Sequence, residues 1–464
     1  MRFIVENFGP IVKADIDIKP LTLFIGSNAS GKSYLLYLIW TLLNAEPEWQ
    51  TMFEKGLKVY DDVIRRRVKR KNEEAITRGL LDFFYWFIDN LGNLITKSLK
   101  DLLENTFMAS SVSELVGPAS QETKILILSE DTPSLVVKFN RSNGFEVTTP
   151  RDTVQRIKRK LTVKIDSLHK SRMVIRVFHG KKVIARGTLP LDEAASFANK
   201  LIAGIPYVIS PILGYCPLVP TTSILPDGRA GILRLLEPVS RVLISTRGIT
   251  LTVSEVDRDF FRHITSITPK IKDQRVSLVA NFMEEELGIK LQYIKEGIPK
   301  FSVLDTIRRY ELPLERAPSG IRELVPLILT MKYTLRPGFL LLIEEPEAHL
   351  HPDAQSIVAR ALSLLANLDV YTLITTHSIH IIDEINNLIR LNKLNAEDKE
   401  TLGYMKEEGL DPNKVAAYIV ERETGMVWSS QVTDEGLSET SLDKVLSEIA
   451  NRYVRVEERA RGFL

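Results

Sequence analysis

The stretch "GSNASGKS" at residues 26–33 lies between two apolar runs, "LTLFI" (Leu21–Ile25) and "YLLYLIW" (Tyr34–Trp40). It has the G-x-x-x-x-G-K-S spacing of a phosphate-binding loop, and its flanks predict a strand before it and a helix after it. Glycines let the backbone fold tightly around a phosphate chain, which also faces the helix N-terminus. The alternative is a glycine- and serine-rich loop that matches by chance, so motifs elsewhere in the chain must decide.

The side chains of this loop have separate predicted roles toward a nucleoside triphosphate. Lys32 is expected to reach the β and γ phosphates, and Ser33 is expected to coordinate Mg²⁺. The residues predicted to surround the phosphates are Gly26, Ser27, Asn28, Ala29, Ser30, Gly31, Lys32 and Ser33.

Two adjacent carboxylates end a second strand-like run, "FLLLIEEPEAHLHP" (Phe339–Pro352). A buried parallel strand delivers its last residues to the carboxyl edge of a sheet. Since Mg²⁺ binds a carboxylate beside phosphates and an attacking water needs an acceptor, Glu344 is predicted to bind the metal and Glu345 to activate the water. The alternative is a charged cap on a core strand.

A histidine ends the next strand-like run, "YTLITTHSIHIIDEI" (Tyr371–Ile385). At the carboxyl end of a strand, His377 can hydrogen-bond the γ phosphate and the attacking water together. The other nearby histidines are expected to pack or to cap helices; these are His349, His351 and His380.

A Ser-Gly pair opens an amphipathic helix in "LERAPSGIRELVPLIL" (Leu314–Leu329), just before the acidic strand. Alone, Ser319 followed by Gly320 would be an ordinary helix N-cap. Together, the order of phosphate loop, Ser-Gly helix start, acidic strand and histidine strand is that of ATP-binding cassette (ABC) ATPases.

The chain resembles ABC ATPases of the RecF, SMC and Rad50 branch, and most closely the OLD (overcoming lysogenisation defect) type. It also resembles the ATPase subunit of PARIS-type phage-defence systems. The motifs that carry this resemblance are "ENFGPI" (Glu6–Ile11), "GSNASGKS", "PSGIREL", "IEEPEAHLHP" and "TTHS". The resemblance implies an α/β fold: an ABC-type P-loop ATPase head with a mixed β-sheet flanked by helices, plus an α+β insertion.

The resemblance also implies how a site would be assembled. ATP would lie between two protomers, with Lys32 and Ser33 of one facing Ser319 and Gly320 of the other, in a homodimer or higher even oligomer. Glu344, Glu345 and His377 would take the Mg²⁺, catalytic-base and switch positions.

Three departures from the family pattern accompany the resemblance. The acidic pair is Glu-Glu instead of Asp-Glu, and Ile321 and Arg322 replace the Gly and Gln of transporters. No glutamine can be assigned to the position that links Mg²⁺ to lobe movement; the alternatives are Gln50, Gln121, Gln155 and Gln274. Arg229, in "LPDGRAGIL" (Leu225–Leu233), is expected near the nucleotide or the dimer interface.

The organisation predicted along the chain has four parts. They are an ATPase part with the phosphate loop (1–45), an inserted α+β arm (46–205), an ATPase part with the remaining motifs (206–395) and a small helix and hairpin extension (396–464). The arm is expected to start helical and to continue as β hairpins.

Charge is unevenly distributed, although the net charge is only +2. Between Arg151 and Gly187 the sequence has twelve Lys or Arg and only two acidic residues, both Asp. The stretch "RRRVKRK" at 65–71 is a second basic cluster. Such clusters attract phosphate backbones or acidic proteins, and the alternative is a solvated face. The single cysteine, Cys216, excludes an internal disulfide and suits a reducing cytosol, and no apolar stretch predicts a membrane role.

The predicted function is an ATPase that dimerises around ATP and Mg²⁺ and switches its grip on an effector, such as a separate nuclease or toxin, or on DNA. A cytoplasmic role in defence against foreign genetic elements follows from the resemblance. The residues after 395 are too few for the OLD nuclease domain and contain no Asp-x-Asp, and the match at Asp15 and Asp17 lies in a predicted strand pair. The alternative is a RecF-like, ATP-gated DNA clamp for repair; a transporter ATPase is disfavoured.

Overall fold

The computed structural model describes residues 1–65, 72–129, 132–213, 222–234, 253–294, 300–438, 451–457 and 459. Cys216, most of the basic run at 65–71 and most residues after 438 lie outside the described residues. The chain forms two compact units, each built from two segments. The first unit is Met1–Asp15 with Thr41–Pro220, and the second is Ile16–Trp40 with Thr221–Leu464.

The strands and helices follow one another along the whole described chain. The strands are β1 Arg2–Phe8, β2 Ile11–Asp17, β3 Leu21–Ile25, β4 Glu122–Ser129, β5 Thr132–Asn140, β6 Phe145–Thr148, β7 Leu161–Leu168, β8 Arg172–His179, β9 Lys182–Pro190, β10 Thr222–Leu225, β11 Ile289–Ile294, β12 Lys300–Asp305, β13 Tyr310–Pro313, β14 Leu340–Glu344, β15 Tyr371–Thr376, β16 Val415–Val420, β17 Val427–Ser430, β18 Val432–Thr433 and β19 Gly436–Leu437. The helices are α1 Lys32–Asn44, α2 Trp49–Val59, α3 Glu73–Thr106, α4 Arg151–Lys160, α5 Ala194–Leu213, α6 Glu255–Ser266, α7 Gln274–Glu286, α8 Ser319–Tyr333, α9 Pro352–Asn367, α10 Ile379–Leu391 and α11 Ala396–Thr401.

The first unit combines two antiparallel sheets with helices α2 to α5. One sheet has the order β2-β1-β4-β5-β6 and the other β7-β8-β9. The expected change from helices to hairpins after residue 45 is therefore present. Unlike the predicted 1–45 part, β1 belongs to this unit, because its residues pair with β4 from Arg2 opposite Leu128 to Glu6 opposite Lys124.

The second unit is built on a six-stranded sheet with the order β10-β14-β15-β3-β16-β17. Neighbours are parallel from β10 to β16, and β17 is antiparallel to β16. All residues of β3 and β14 are buried, as expected of central parallel strands covered on both faces. The mixed sheet and flanking helices confirm the predicted fold class.

Strand β16 lies in the predicted helix and hairpin extension (396–464) and joins the central sheet. It pairs in parallel with β3, from Val415 opposite Leu21 to Ile419 opposite Ile25. Five of its six residues, "VAAYIV", are buried, so it needs cover on both faces and finds it inside the central sheet. A hairpin of β16 with β17 was predicted, whereas the pairing of β16 with β3 was not.

Helices α6 to α10 contribute to one apolar core with β3, β14 and β15. The core side chains that represent them include Phe260, Met283, Leu324, Val358 and Ile385. This packing holds the central strands in register, and their carboxyl ends carry the motifs. Among the described residues no helix combines the length and apolar character needed to cross a lipid bilayer.

Candidate functional site

The phosphate loop follows β3 and leads into α1. Gly26 is buried, and a β-carbon there would lie 2.5 Å from the carbonyl oxygen of Val420, so only glycine fits. Gly31 has a φ of +105°, a conformation that disfavours other residues. The Nζ of Lys32 donates hydrogen bonds of 2.9 Å to the carbonyl oxygens of Gly26 and Ser27. The ammonium group thus lies in the centre of the loop.

The strand register brings the predicted site residues to one edge of the sheet. Thr376 on β15 lies opposite Ile25 on β3, and Thr375 lies opposite Glu344 on β14. Burial lowers the pKa of Lys32, while the nearby carboxylates oppose this shift; these are Glu345, Glu347 and Glu344. The cation of the loop and the acids of β14 therefore share one electrostatic environment.

Two donors hold the Glu344 carboxylate. The hydroxyl of Tyr37 and the backbone N–H of Asp227, at 3.0 Å, both donate to its Oε2. Burial, and then the charge of Glu344, raise the pKa of Tyr37, so the phenol remains a donor. Because Tyr37 lies four residues after Ser33 on α1, both project from the same helix face.

Glu345 is held in a strained backbone conformation beside His377. Its φ is +41°, which is rare for a residue other than glycine and marks sites where surrounding structure imposes the geometry. Its N–H donates to the carbonyl oxygen and the hydroxyl of Thr375, both at 3.1 Å. The Nδ1 of His377 lies 3.3 Å from its Oε1. Burial raises the pKa of Glu345, and His377 acts to lower it.

Glu347 is a site residue that sequence reasoning missed. It is buried, and its Oε1 accepts hydrogen bonds from the Thr376 hydroxyl at 2.7 Å and the His377 N–H at 2.9 Å. Its Oε2 has no hydrogen-bond partner within the described part of the chain. A signal was present, because Glu347 is the third acid of "EEPE". Its contacts position the backbone of His377.

Arg229 makes more contacts with the acidic loop than the sequence indicated. Its guanidinium is fully buried and donates to the backbone carbonyl oxygens of Glu344 at 2.8 Å and Glu345 at 3.2 Å. Its Nε also lies 3.1 Å from a carboxylate oxygen of Glu323 on α8. The side chain is internal to its own protomer, and its expected position near the nucleotide or the dimer interface stays a prediction.

Ser319 is the first residue of α8, and it is exposed. The cap position belongs to Pro318 and has no side-chain hydrogen bond, so the ordinary N-cap interpretation of Ser319 is wrong. At Gly320 a β-carbon would lie 3.1 Å from the carbonyl oxygen of His349. The helix start therefore packs closely against the loop that follows the acidic strand.

A pocket of about 560 Å³ opens in front of the acidic loop and the histidine. It is lined by Asp227, Glu345, Glu347, Gln355, His377 and Ser378, among others. Gln355 accepts a hydrogen bond from the Ser378 hydroxyl at 2.5 Å and donates to the Leu350 carbonyl at 3.0 Å. None of the four glutamines considered from sequence lines this pocket. His351 caps α9, as expected, whereas His349 and His380 line the pocket.

Comparison with known proteins gives one family match. The model of the AAA ATPase domain family matches residues 1–174 and 232–382. No curated protein matches the sequence.

Solved structures of SMC heads also resemble this chain, at low similarity. An SMC head bound to the C-terminal winged-helix domain of ScpA has 11% identity and a TM-score of 0.38, covering 96% of this chain and 98% of that one. The SMC head domain of Thermotoga maritima has 10% identity and a TM-score of 0.36, covering 93% and 98%. An Smc head with an extended coiled coil, bound to the C-terminal domain of ScpA from Pyrococcus furiosus, has 11% identity and a TM-score of 0.37, covering 97% of this chain and 98% of that one.

Proposed function

The chain belongs to the AAA ATPase domain family and is an ATPase, and we propose that its site works between two copies of the chain. The observation that carries the hydrolytic part of this proposal is the position of Glu345, which is strained, lies beside His377 and shares the electrostatic environment of Lys32. Lys32 binds the β and γ phosphates, inside the loop of residues 26–33. Glu345 accepts a proton from the attacking water, and His377 positions that water against the γ phosphate.

The Mg²⁺ of the substrate complex fits Ser33 and Glu344. Within the described residues no three Asp, Glu, His or Cys side chains form a metal site by themselves. Mg²⁺ commonly keeps one or two protein ligands and takes the rest from phosphates and water, so a hydroxyl and one carboxylate suffice. When bound, the ion neutralises phosphate charge. Tyr37 and Asp227 orient the carboxylate for this role.

The second copy supplies Ser319 and Gly320 to the γ phosphate. Ser319 is exposed, and within the described residues the start of α8 has no side-chain cap hydrogen bond, so its hydroxyl and the helix N-terminus can meet an anion from outside. Such a site is complete only in a homodimer or higher even oligomer. ATP then closes two protomers, and hydrolysis releases them.

This cycle is proposed to switch the grip of the chain on an effector protein, such as a separate nuclease or toxin, in cytoplasmic defence against foreign genetic elements. The second function considered is a DNA clamp for repair. It is favoured by one observation, since residues 160–190 carry eight Lys or Arg and one acid.

Mixing two inactive variants tests the shared site. Lys32→Ala should remove nucleotide binding, and Ser319→Arg should block the partner's site, so each alone should lack ATP turnover. A mixed dimer combines one intact loop with one intact Ser319, and a 1:1 mixture should regain about a quarter of wild-type turnover. Cells that express both variants together with the proposed effector protein should likewise regain protection against phage.

The complementation has a matched control and clear contrary results. A 1:1 mixture of Lys32→Ala with Glu345→Gln should regain little turnover. The only protomer with an intact Lys32 lacks the catalytic base at position 345. Turnover by Ser319→Arg alone, or no recovery in the mixture, would show that each protomer holds a whole site. Turnover that recovers without phage protection would leave the ATPase proposal standing and contradict the defence role.

The pH dependence of turnover tests the roles of Glu345 and His377. Glu345 must be ionised to accept a proton, and burial raises its pKa, so turnover should fall on acidification at a pH above the ordinary glutamate range. His377 opposes that shift, so in His377→Ala the acid limb should move to higher pH. The measurement is kcat from about pH 5 to 9, with exposed His169→Ala as the control. If the acid limb of the kcat profile stays at the same pH or moves to lower pH in His377→Ala, these roles are contradicted.

A further inference from the structure

The sheet β7-β8-β9 of the first unit has one buried and one basic face. The buried side chains face α3 and α5; they include Val163, Met173, Ile175, Val177 and Leu189. Side chains alternate between faces along a strand, so the residues between these lie on the opposite side. We call that side, defined by Thr162, Lys164, Arg176, Phe178 and Arg186, the basic sheet face.

Three cations cross the basic sheet face in one row. Lys164 lies opposite Arg176, and Arg176 lies opposite Arg186. Since neighbouring strands are about 4.8 Å apart, this row spans roughly 10 Å. Asp166 is the only acid in residues 160–190; it lies 2.6 Å from Arg176 and 3.7 Å from Arg186. One carboxylate therefore orients two guanidinium groups but cannot neutralise the row.

Positive charge continues at both ends of the sheet. Lys181 lies in the turn between β8 and β9, and Lys182 begins β9. This turn is tied to Lys160 by a hydrogen bond from the Gly180 N–H to the Lys160 carbonyl oxygen. At the other end of the sheet, Lys170 lies in the turn between β7 and β8, and Arg172 begins β8. All five are exposed. The positive potential thus extends along the length of the strands, as a linear polyanion requires.

An aromatic ring lies within this charge. Phe178 is partly exposed and lies two residues after Arg176 on β8, so both side chains share the face. The Lys164 ammonium lies 5.4 Å from its ring centroid and the Arg176 guanidinium 5.6 Å. Thr162 and Val183 are its cross-strand neighbours.

We propose that the basic sheet face binds single-stranded nucleic acid. Phosphates of one strand contact the Lys164, Arg176 and Arg186 row and the basic turns, and a base packs on Phe178. A polynucleotide carries one negative charge per nucleotide, with a planar base between successive charges. The cations and the aromatic ring of the basic sheet face match this pattern. The proposal goes beyond the ATPase function, because no residue of the ATP site takes part.

A binding titration tests the surface. The probe is a fluorescent oligo(dT) of about 30 nucleotides, followed by anisotropy between about 50 and 200 mM KCl. Lys164→Glu combined with Arg186→Glu should weaken binding about tenfold or more and reduce the slope of log Kd against log salt by about two. Phe178→Leu should weaken binding about tenfold without changing that slope, because it removes stacking and no charge.

The matched control is Lys270→Glu with Lys272→Glu, the same charge change at exposed positions of the second unit. It should leave the affinity near that of the wild type. Thermal unfolding followed by circular dichroism checks that each variant folds, and ATP turnover should persist in all of them, which separates this proposal from the ATPase proposal.

Three results would overturn the proposal. The first is an unchanged affinity in the Lys164 and Arg186 variant. The second is equal loss in the Lys270 and Lys272 control. The third is displacement of oligo(dT) by polyglutamate at equal charge concentration, which would assign the surface to an acidic protein.

Discussion

Replacing Glu345 with glutamine is expected to lower ATP turnover by about 10²- to 10⁴-fold while ATP binding persists. Glutamine keeps the volume of the side chain but cannot accept the proton of the attacking water. The surrounding hydrogen bonds to Thr375 use the Glu345 backbone, so the strained loop should keep its shape. Binding and chemistry are therefore separated in this variant.

The same variant should accumulate as a nucleotide-bound dimer. Release of the two copies is proposed to follow hydrolysis, and a site that binds ATP without cleaving it stays closed. Size-exclusion chromatography with and without ATP and Mg²⁺ measures the oligomer, and phosphate release measures turnover. Glu400→Gln, an exposed position on α11, is the control and should behave as the wild type. Wild-type turnover in Glu345→Gln would remove the assigned base, and an ATP-loaded monomer would contradict the shared site.

Replacing Arg229 with methionine is expected to destabilise the protein by about 3 to 5 kcal/mol. The change leaves the Glu323 carboxylate buried without its cation. It also removes the donors to carbonyl oxygens of Pro226, Glu344 and Glu345. Burial lowers the pKa of Arg229 and the surrounding acids oppose that shift, so the charge is retained because of its partners.

Urea unfolding followed by circular dichroism measures this effect. Arg229→Met combined with Glu323→Leu should recover a large part of the loss, because no charge is then left unpaired. Arg390→Met is the control: Arg390 is exposed and lies 3.9 Å from Glu435, so its loss should cost less than about 1 kcal/mol. A wild-type unfolding midpoint in Arg229→Met, or a double variant less stable than the single one, would contradict the proposed role of this network.

The residues of the candidate site fall into two groups, those that were predicted from the sequence and those that were not. Lys32, Glu344, Glu345 and His377 meet at one sheet edge because each ends or follows an apolar strand of a parallel sheet, and parallel strands end at the same edge. Glu347 belongs to the same loop but was not assigned. Its importance depends on contacts with Thr376 and His377, residues 29 and 30 positions away.

The fold was predictable where local pattern and burial agree. The central strands have continuous apolar runs, and the arm alternates like hairpins. The attachment of β16 to β3, and of β1 to β4, was not predicted. In both cases the partner lies far along the chain, and an apolar or alternating run does not indicate which edge it will pair with.

The sequence by itself determined that residues 26–33 form a loop between a strand and a helix, with the glycine spacing typical of a phosphate loop, because glycine positions and apolar periodicity act over a few residues. It also determined which acids and which histidine end buried strands. Only the tertiary structure decided that Tyr37 and Asp227 hold Glu344, and that Arg229 supports the acidic loop. The physical reason is that these hydrogen bonds and buried charges join segments more than a hundred residues apart, and strand register selects their partners.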